Sequence, residues 1–495
     1  MDDALPDAPE LSAAPRARGN ALPHEALLML LSLLPLDARA RAACVCRAWR
    51  AAAARADMWA ELSFTDCAAR VDDATLASLC ARAGAALRTL DLEAAACAWV
   101  TAAGMVAALR DGGCSGVRRL STPAPRGAEH ALLAERVHQL AATCPMLEHA
   151  ACSLRCCVSD AAALLTVLPG PLKLSCDELI KDEQWQANGA GLTKLAECLR
   201  INATVTSLCL SCIWIGDAGV TQLAECLRVN GTLRELSLWS NRIRSEGATQ
   251  LAQSLHVNST LTSLTLTMNS IGEAGATQLA GCLRINSTLL RLDLSCNEIG
   301  DAGAMQLAEC LRVNATLTRL DLSANSIRDA GAIELAECLR INSTLMSLDL
   351  GSNGVHDYGT TQLAECLRVN ATLTSLNLRV NYVGDAGAAQ LAESLRANTT
   401  LMELMLEGND IGCLGVLQLA ECVRVNCTLR TLDLSGMDPL PKFGDALGDA
   451  ELMQLAECMR LNTTLTSLDL SDNDINWDGV CLLRAACPPQ CMLRV

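Results

Sequence analysis

The stretch LTRLDLSANSIRDAGAIELAECLRINST, residues 317–344, decides the fold. Leu320 and Leu322 alternate with Arg319, Asp321 and Ser323. That period of two marks a short strand with one buried face. Asn325 and Ile327 follow in a predicted loop, and Asp329 and Gly331 open a helix, with Asp329 read as its N-cap. Leu335, Cys338 and Leu339 stand at i, i+3 and i+4 and make one apolar helix face, while Glu337 and Arg340 pair on the wet side. The helix is expected to end at Asn342, a residue type that tolerates left-handed backbone, and Thr344 to lead into the next strand.

The unit returns every 28 residues, with starts at Val205, Leu233, Leu261, Leu289, Leu317, Leu345, Leu373, Leu401 and Leu429, and again at Leu465, eight residues late. Self-similarity at this period predicts a solenoid. Strands stack about 4.8 Å apart, whereas packed helices need about 8–10 Å. The strand side is therefore the shorter one. The expected fold is an α/β solenoid, a horseshoe with parallel strands concave and helices convex. Composition agrees: 51% of the 495 residues are hydrophobic but only 2% aromatic, so Leu, Ala, Val and Cys must fill thin layers.

This pattern, LxxLxLxxNxIxxxGAxxLAxxLxxN, resembles the leucine-rich repeat of the ribonuclease-inhibitor type. The resemblance implies an interior hydrogen-bonded ladder formed here by Asn241, Asn269, Asn297, Asn325, Asn353, Asn381, Asn409 and Asn473, and broken at Ile213 and Met437. A second Asn column creates ten Asn-X-Thr sequons, from Asn202 to Asn462. Their place at a helix end followed by a strand gives each a local structural reason, and they are read as such rather than as glycan acceptors. The column Cys198, Cys226, Cys282, Cys310, Cys338, Cys366, Cys422 and Cys458 is read as small buried side chains, because adjacent helices sit beyond the Cα reach of a disulfide.

Net charge is −16, which disfavours nucleic acid as a partner. The acidic first twenty residues make a poor export leader, and the apolar run 26–36 is too short to span a bilayer, so no membrane association is expected. With 27 cysteines in no framework spacing, the expected compartment is reducing: the cytoplasm, or the nucleus. No phosphate loop occurs, and His24, His130, His138, His149, His256 and His356 are scattered. No enzyme, catalytic residue, metal site or cofactor is expected. The group His138, Cys144, His149, Cys152, Cys156 and Cys157 matches no zinc spacing and is read as repeat core.

Upstream, LRTLDL (87–92), VRRLST (117–122), MLEHAAC (146–152) and PLKLSC (171–176) are strand candidates at a looser spacing of about thirty residues, in the range of leucine-rich units. Residues 21–64 differ. Leu22-Pro23 starts a helix, Leu27, Leu30, Leu31 and Leu34 recur at helical spacing, and Val45 and Trp49 are again i, i+4. This module resembles an F-box, on Leu22-Pro23, Glu25, Leu27, Leu30, Leu34-Pro35, Val45-Cys46-Arg47, Trp49 and the closing Trp59 and Leu62. Ala38 and Arg39, in place of the usual Leu, and Leu33, where an aromatic is common, depart from the pattern. The alternative is a helical cap on the solenoid.

The expected organisation is a disordered tail (1–20), a small all-α F-box-like module (21–64), irregular repeats (65–204), regular repeats (205–480, with an insertion at 438–449) and a C-terminal cap (481–495). The F-box resemblance implies docking on the Skp-type adaptor of a cullin ubiquitin ligase through Leu22, Pro23, Leu27, Leu30, Leu34, Val45 and Trp49. The repeats would hold a protein substrate on concave residues, among them Trp239, Arg291, Asp293, Arg319, Asp321, Asp349 and Arg379, with Phe443 of the insertion. The Asp column reads either as a stripe for a basic ligand or as the ordinary LDLS repeat pattern. Two other functions stay open: a free-standing scaffold like ribonuclease inhibitor or an innate-immune sensor, and an activator of a Ran-type GTPase.

Overall fold

A computed structural model of the chain describes residues 59–64, 71–92, 97, 100–121, 143–144, 152–155, 172–176, 190–437 and 448–495. Among these, sixteen strands form one parallel sheet in strict sequence order, from Glu61–Ser63 to Met492–Arg494. The register repeats without slippage through the regular rungs: Leu320 lies opposite Leu292 on one side and Leu348 on the other. Each rung sends its strand leucines, loop Ile or Val and helix leucines into one continuous core. Leu320, Leu322, Ile327, Leu335 and Leu339 are all buried. Gly331 permits this packing, since a Cβ there would stand 2.8 Å from Ile327 Cγ2 and 3.0 Å from Ala304 Cβ.

The expected Asn ladder is present. Asn325 Nδ2 donates to the carbonyls of Leu294 (2.9 Å) and Ser323 (3.0 Å), and its Oδ1 accepts from the Asn297 and Ile299 amides (2.9 and 3.3 Å). Where Ile213 and Met437 replace Asn, their own amides still reach the Asn of the next rung, at 3.2 and 2.8 Å. A missing side chain therefore removes one donor and one acceptor and leaves the rest of the ladder intact.

Two capping expectations are corrected. Asp329 does not cap its own helix, Asp329–Leu339, whose N-cap is Arg328 without a side-chain bond. Its Oδ1 instead accepts the His356 and Gly359 amides of the following rung, at 2.8 and 3.1 Å. Asp301 in turn serves Arg328 and Gly331, both at 2.8 Å. Stacking places the carboxylate of one repeat beside the orphan N–H groups of the next helix, and it satisfies them from outside.

The helix-ending Asn is not left-handed either. Asn426 and Asn462 have φ −71° and −80°, and non-glycine left-handed residues flank the ladder Asn instead, as Ala324 and Ser326 flank Asn325. The side chain does the capping. Asn342 Nδ2 donates to Leu311 O of the previous rung (2.7 Å), and Oδ1 accepts from Thr344 N (3.0 Å) and Leu345 N (2.8 Å). Thr344 thus belongs to this turn, and the strand begins later, at Ser347. Asn314 repeats the pattern and is 6% exposed. A glycan needs that Nδ2, which faces the core and is already engaged.

At the front, the strands Thr89–Asp91, Arg119–Ser121 and Leu172–Cys176 fall where expected. The third candidate moves: the strand is Cys152–Arg155, because Leu154 takes the register position opposite Leu174. The first rung, Glu61–Ser63, pairs with Thr89–Asp91 and starts the sheet inside the stretch expected to be purely helical. Trp59 and Leu62 are buried in that rung. In these early rungs thiols take the inter-repeat bonding role, with Cys114 Sγ donating to Cys80 O and Cys144 Sγ to Cys114 O, both at 3.4 Å. Cys144 is therefore core, and the rest of the His/Cys group near it lies outside the described side chains. At the other end, Met492–Arg494 joins the ladder as its last strand.

Candidate functional site on the concave face

Side chains of the strands that point away from the core share one face, because residues two apart point the same way. Register then stacks Arg291 on Arg319, and Asp293 on Asp321 on Asp349. These five residues, read from the sequence as candidates, line one shallow hollow of about 270 Å³ that extends from Ser263 and Thr265 to Asp349.

The carboxylates have an inward task. One oxygen of each accepts the amide two residues on: Ser295 at 3.0 Å, Ser323 at 2.9 Å and Gly351 at 2.8 Å. This is an Asx turn that closes the strand exit, so the column serves the repeat first. Asn377 does the same at the next rung, accepting Arg379 N at 3.0 Å. The second oxygen of Asp349 accepts Asn377 Nδ2 at 2.8 Å, whereas those of Asp293 and Asp321 are left for the face. Burial, with Asp349 and Asp293 alongside, pushes the Asp321 carboxyl up to about 6. Arg291 and Arg319 are exposed, and no ion pair of theirs occurs among the described residues.

Arg379 lies apart from the hollow and is held by Glu407 at 3.1 Å. Trp239 also lies apart, 39% exposed at an earlier strand exit. The sequence reading missed its neighbours. Trp214, with the Arg242 guanidinium 4.2 Å above its ring, and Met268 stand in the same stretch of loops. They sit beside the ladder Asn positions, in segments read only as connections. Their signal was compositional, two bulky aromatics close together in a chain that is 2% aromatic. Phe443 lies outside the described residues, as do Leu22, Pro23, Leu27, Leu30, Leu34, Val45 and Trp49.

The cysteine column offers no chemistry. Burial pushes the Cys226, Cys282, Cys310, Cys366 and Cys422 thiols up to about 12, which keeps them protonated and unreactive. Among the described residues no group of three or more His, Cys, Asp or Glu side chains converges on a metal position, and no helix is long and apolar enough to cross a membrane.

Comparison with known proteins adds the front of the chain. Residues 20–65 match the F-box-like family, residues 186–300 the leucine-rich domain of the TMOD/LMOD group, and residues 313–336, 342–363, 369–392 and 461–480 the leucine-rich repeat. The chain combines an F-box-like domain with leucine-rich repeats, the make-up of an F-box/leucine-rich-repeat protein. Among solved structures, leiomodin-1 actin-binding site 2 is 22% identical, covering 32% of this chain and 88% of that one, with a TM-score of 0.27. The yeast Rad7–Elc1 complex is 19% identical, covering 73% of this chain and 83% of that one, with a TM-score of 0.47. No curated protein matches the chain.

Proposed function

We propose that this F-box/leucine-rich-repeat protein is the substrate-recognition adaptor of a Skp–cullin–F-box ubiquitin ligase. The observation that carries the reading is the joining of an F-box-like stretch, residues 20–65, to a long sheet whose concave face no other described element covers. The F-box-like stretch docks on the Skp-type adaptor through Leu22, Pro23, Leu27, Leu30, Leu34, Val45 and Trp49, a helix-in-groove contact that needs few apolar anchors. The concave face, with Trp239, Arg291, Asp293, Arg319, Asp321, Asp349 and Arg379, and Phe443 from the insertion, holds a protein substrate. The role is tethering: one chain binds two partners and raises the concentration of each near the other. Ubiquitin transfer itself belongs to the other subunits, within the cytoplasm or nucleus.

The test is binding of the full chain to a purified Skp-type adaptor. The wild type is expected to form a stable complex, and the triple variant Leu22→Ala, Pro23→Ala, Leu34→Ala to lose it with its circular dichroism unchanged. A wild-type chain that does not bind, or a triple variant that binds as tightly, overturns the reading.

A further inference from the structure

The concave face changes character along its length. Its early regular rungs expose Trp239 at the strand exit and Trp214 and Met268 in the adjoining loops, at 39%, 42% and 51%, with one exposed strand carboxylate, Glu235. Its late rungs carry Glu403, Asp410, Asp433, Asp469, Asp472 and Asp474, which outnumber the cations described there, the exposed Arg430 and Arg494, the latter 3.4 Å from Asp469. Between the two ends, the hollow alternates Arg291 and Arg319 with three carboxylates and is close to neutral.

The repeat does not require this gradient. Only the Asx-turn position needs an acceptor, and Asn377 fills it without charge. Glu403 and Asp410 stand at other positions and are exposed; Asp472 and Asp474 are exposed as well but hold left-handed backbone, φ 59° and 50°, which Asp tolerates. At the apolar end, Trp214 and Met268 hold left-handed backbone, φ 55° and 54°. Gly408 and Gly436 fill the column of Met268 further along, as local sterics favour. Bulky side chains persist against that preference at Trp214 and Met268, and again at Val380 (φ 52°) in the column of Met268.

We propose that the face takes an extended segment of a protein partner, laid across the strands, with an aromatic or aliphatic side chain at one end and Lys or Arg at the other. The apolar end rests on Trp214, Trp239 and Met268, and the basic end on the carboxylates of the late rungs. The inference rests on the reading of the concave face as the substrate face and names the chemistry it selects. Six rung spacings separate the strand Glu235–Ser237 from Glu403–Met405. At about 4.8 Å per rung that is roughly 29 Å, the reach of about nine extended residues. Complementary charge fixes the direction in which the segment lies, and the aromatic anchor supplies most of the affinity.

The experiment is selection of random peptides displayed on phage against the intact chain, followed by fluorescence anisotropy with the enriched peptides. Enriched peptides are expected to pair an aromatic or aliphatic residue with Lys or Arg about nine positions away. Binding should fall about tenfold or more in Trp239→Ala and in the double variant Glu403→Lys, Asp410→Lys, and weaken as salt is raised. Circular dichroism checks that the variants keep their fold. Enrichment of acidic peptides, no enrichment at all, or wild-type affinity in both variants overturns the proposal. Adaptor binding measured on the same variants separates the two readings. Its loss in the wild-type chain with peptide binding intact sinks the ligase reading alone, and the reverse sinks the gradient alone.

Discussion

Asn325→Ala tests the element that holds neighbouring rungs together. Asn325 is fully buried and makes four hydrogen bonds. The carbonyls it serves do not depend on it: Leu294 O also accepts Asn297 Nδ2 at 3.0 Å, and Ser323 O also accepts Cys296 N at 2.9 Å. The amides of Asn297 and Ile299 lose an acceptor with no replacement in reach. Each orphaned buried donor costs about 1–3 kcal/mol. The Ile299 bond is long at 3.3 Å and lies at the low end. With a small cavity added, the expected loss is about 3–5 kcal/mol. Asn353 provides the control, because it makes the same kinds of bonds from a half-buried site where water can replace them. Asn353→Ala should cost about 1–2 kcal/mol. Urea unfolding followed by circular dichroism measures both. Since solenoid stability is a sum over nearest neighbours, the Asn325 variant should also split the transition or lower its slope. An Asn325→Ala loss under about 1 kcal/mol, or equal losses at the two sites, refutes the account of the ladder.

Asp321→Asn should stabilise the protein at pH 7. The folded carboxyl titrates near 6, above its ordinary value of 3.8, so the folded state holds the proton more tightly and stability falls as pH rises from about 4 to 6. Asn keeps the Asx acceptor, as Asn377 does, so the advantage over wild type should vanish near pH 4 in urea midpoints. Val380→Gly should stabilise by about 0.5–1 kcal/mol, because left-handed strain of about 1–2 kcal/mol exceeds the added freedom of Gly in the unfolded chain. Val380 has φ 52° and is 48% exposed, so little burial is lost, and a thermal scan reads the gain. Native-state alkylation with peptide mapping should label the exposed Cys427 and Cys481 and leave Cys310, Cys338 and Cys366 unlabelled until urea is added. Rapid labelling of the buried column would contradict its packing role.

One repeat, read alone, shows its own strand, loop and helix because the hydrophobic periods of two and 3.6 are local properties. Leu320, Ile327 and Leu335 are therefore legible without coordinates, and so is the placement of Arg319 and Asp321 on one outward face. The capping of Asp329 and Asn342 was not legible in the same way. A single repeat offers Asp329 its own helix as the nearest partner, whereas in the stack the next helix is equally close and its amides are the ones left open. The front of the chain shows the same limit. Cys114 and Cys144 do by thiol what the helix-ending Asn, such as Asn342, does later, so a search for that Asn finds no counterpart there.

The site follows a related rule. In a chain built by repetition, a column that never changes is explained by the stack. The ladder Asn, the sequon Asn and the buried Cys recur with an interior bond or packing role in most rungs, with breaks at Ile213 and Met437 in the ladder and Ser254 and Ser394 in the Cys column, and none of them informs on a ligand. The Asp column is intermediate, since its Asx turn explains an acceptor but not a charge. Information about a partner sits in the columns that the stack leaves free, and in how they change from rung to rung. Trp214, Trp239 and Met268 at one end, and Glu403, Asp410 and Asp474 at the other, are departures of that kind. A reader looking for conserved-seeming motifs passes over them because they break the pattern. The physical reason to attend to them is the same fact: they vary from rung to rung while remaining exposed, Trp214 even with Arg242 stacked on its ring, so their surface is open to a contact from outside the chain.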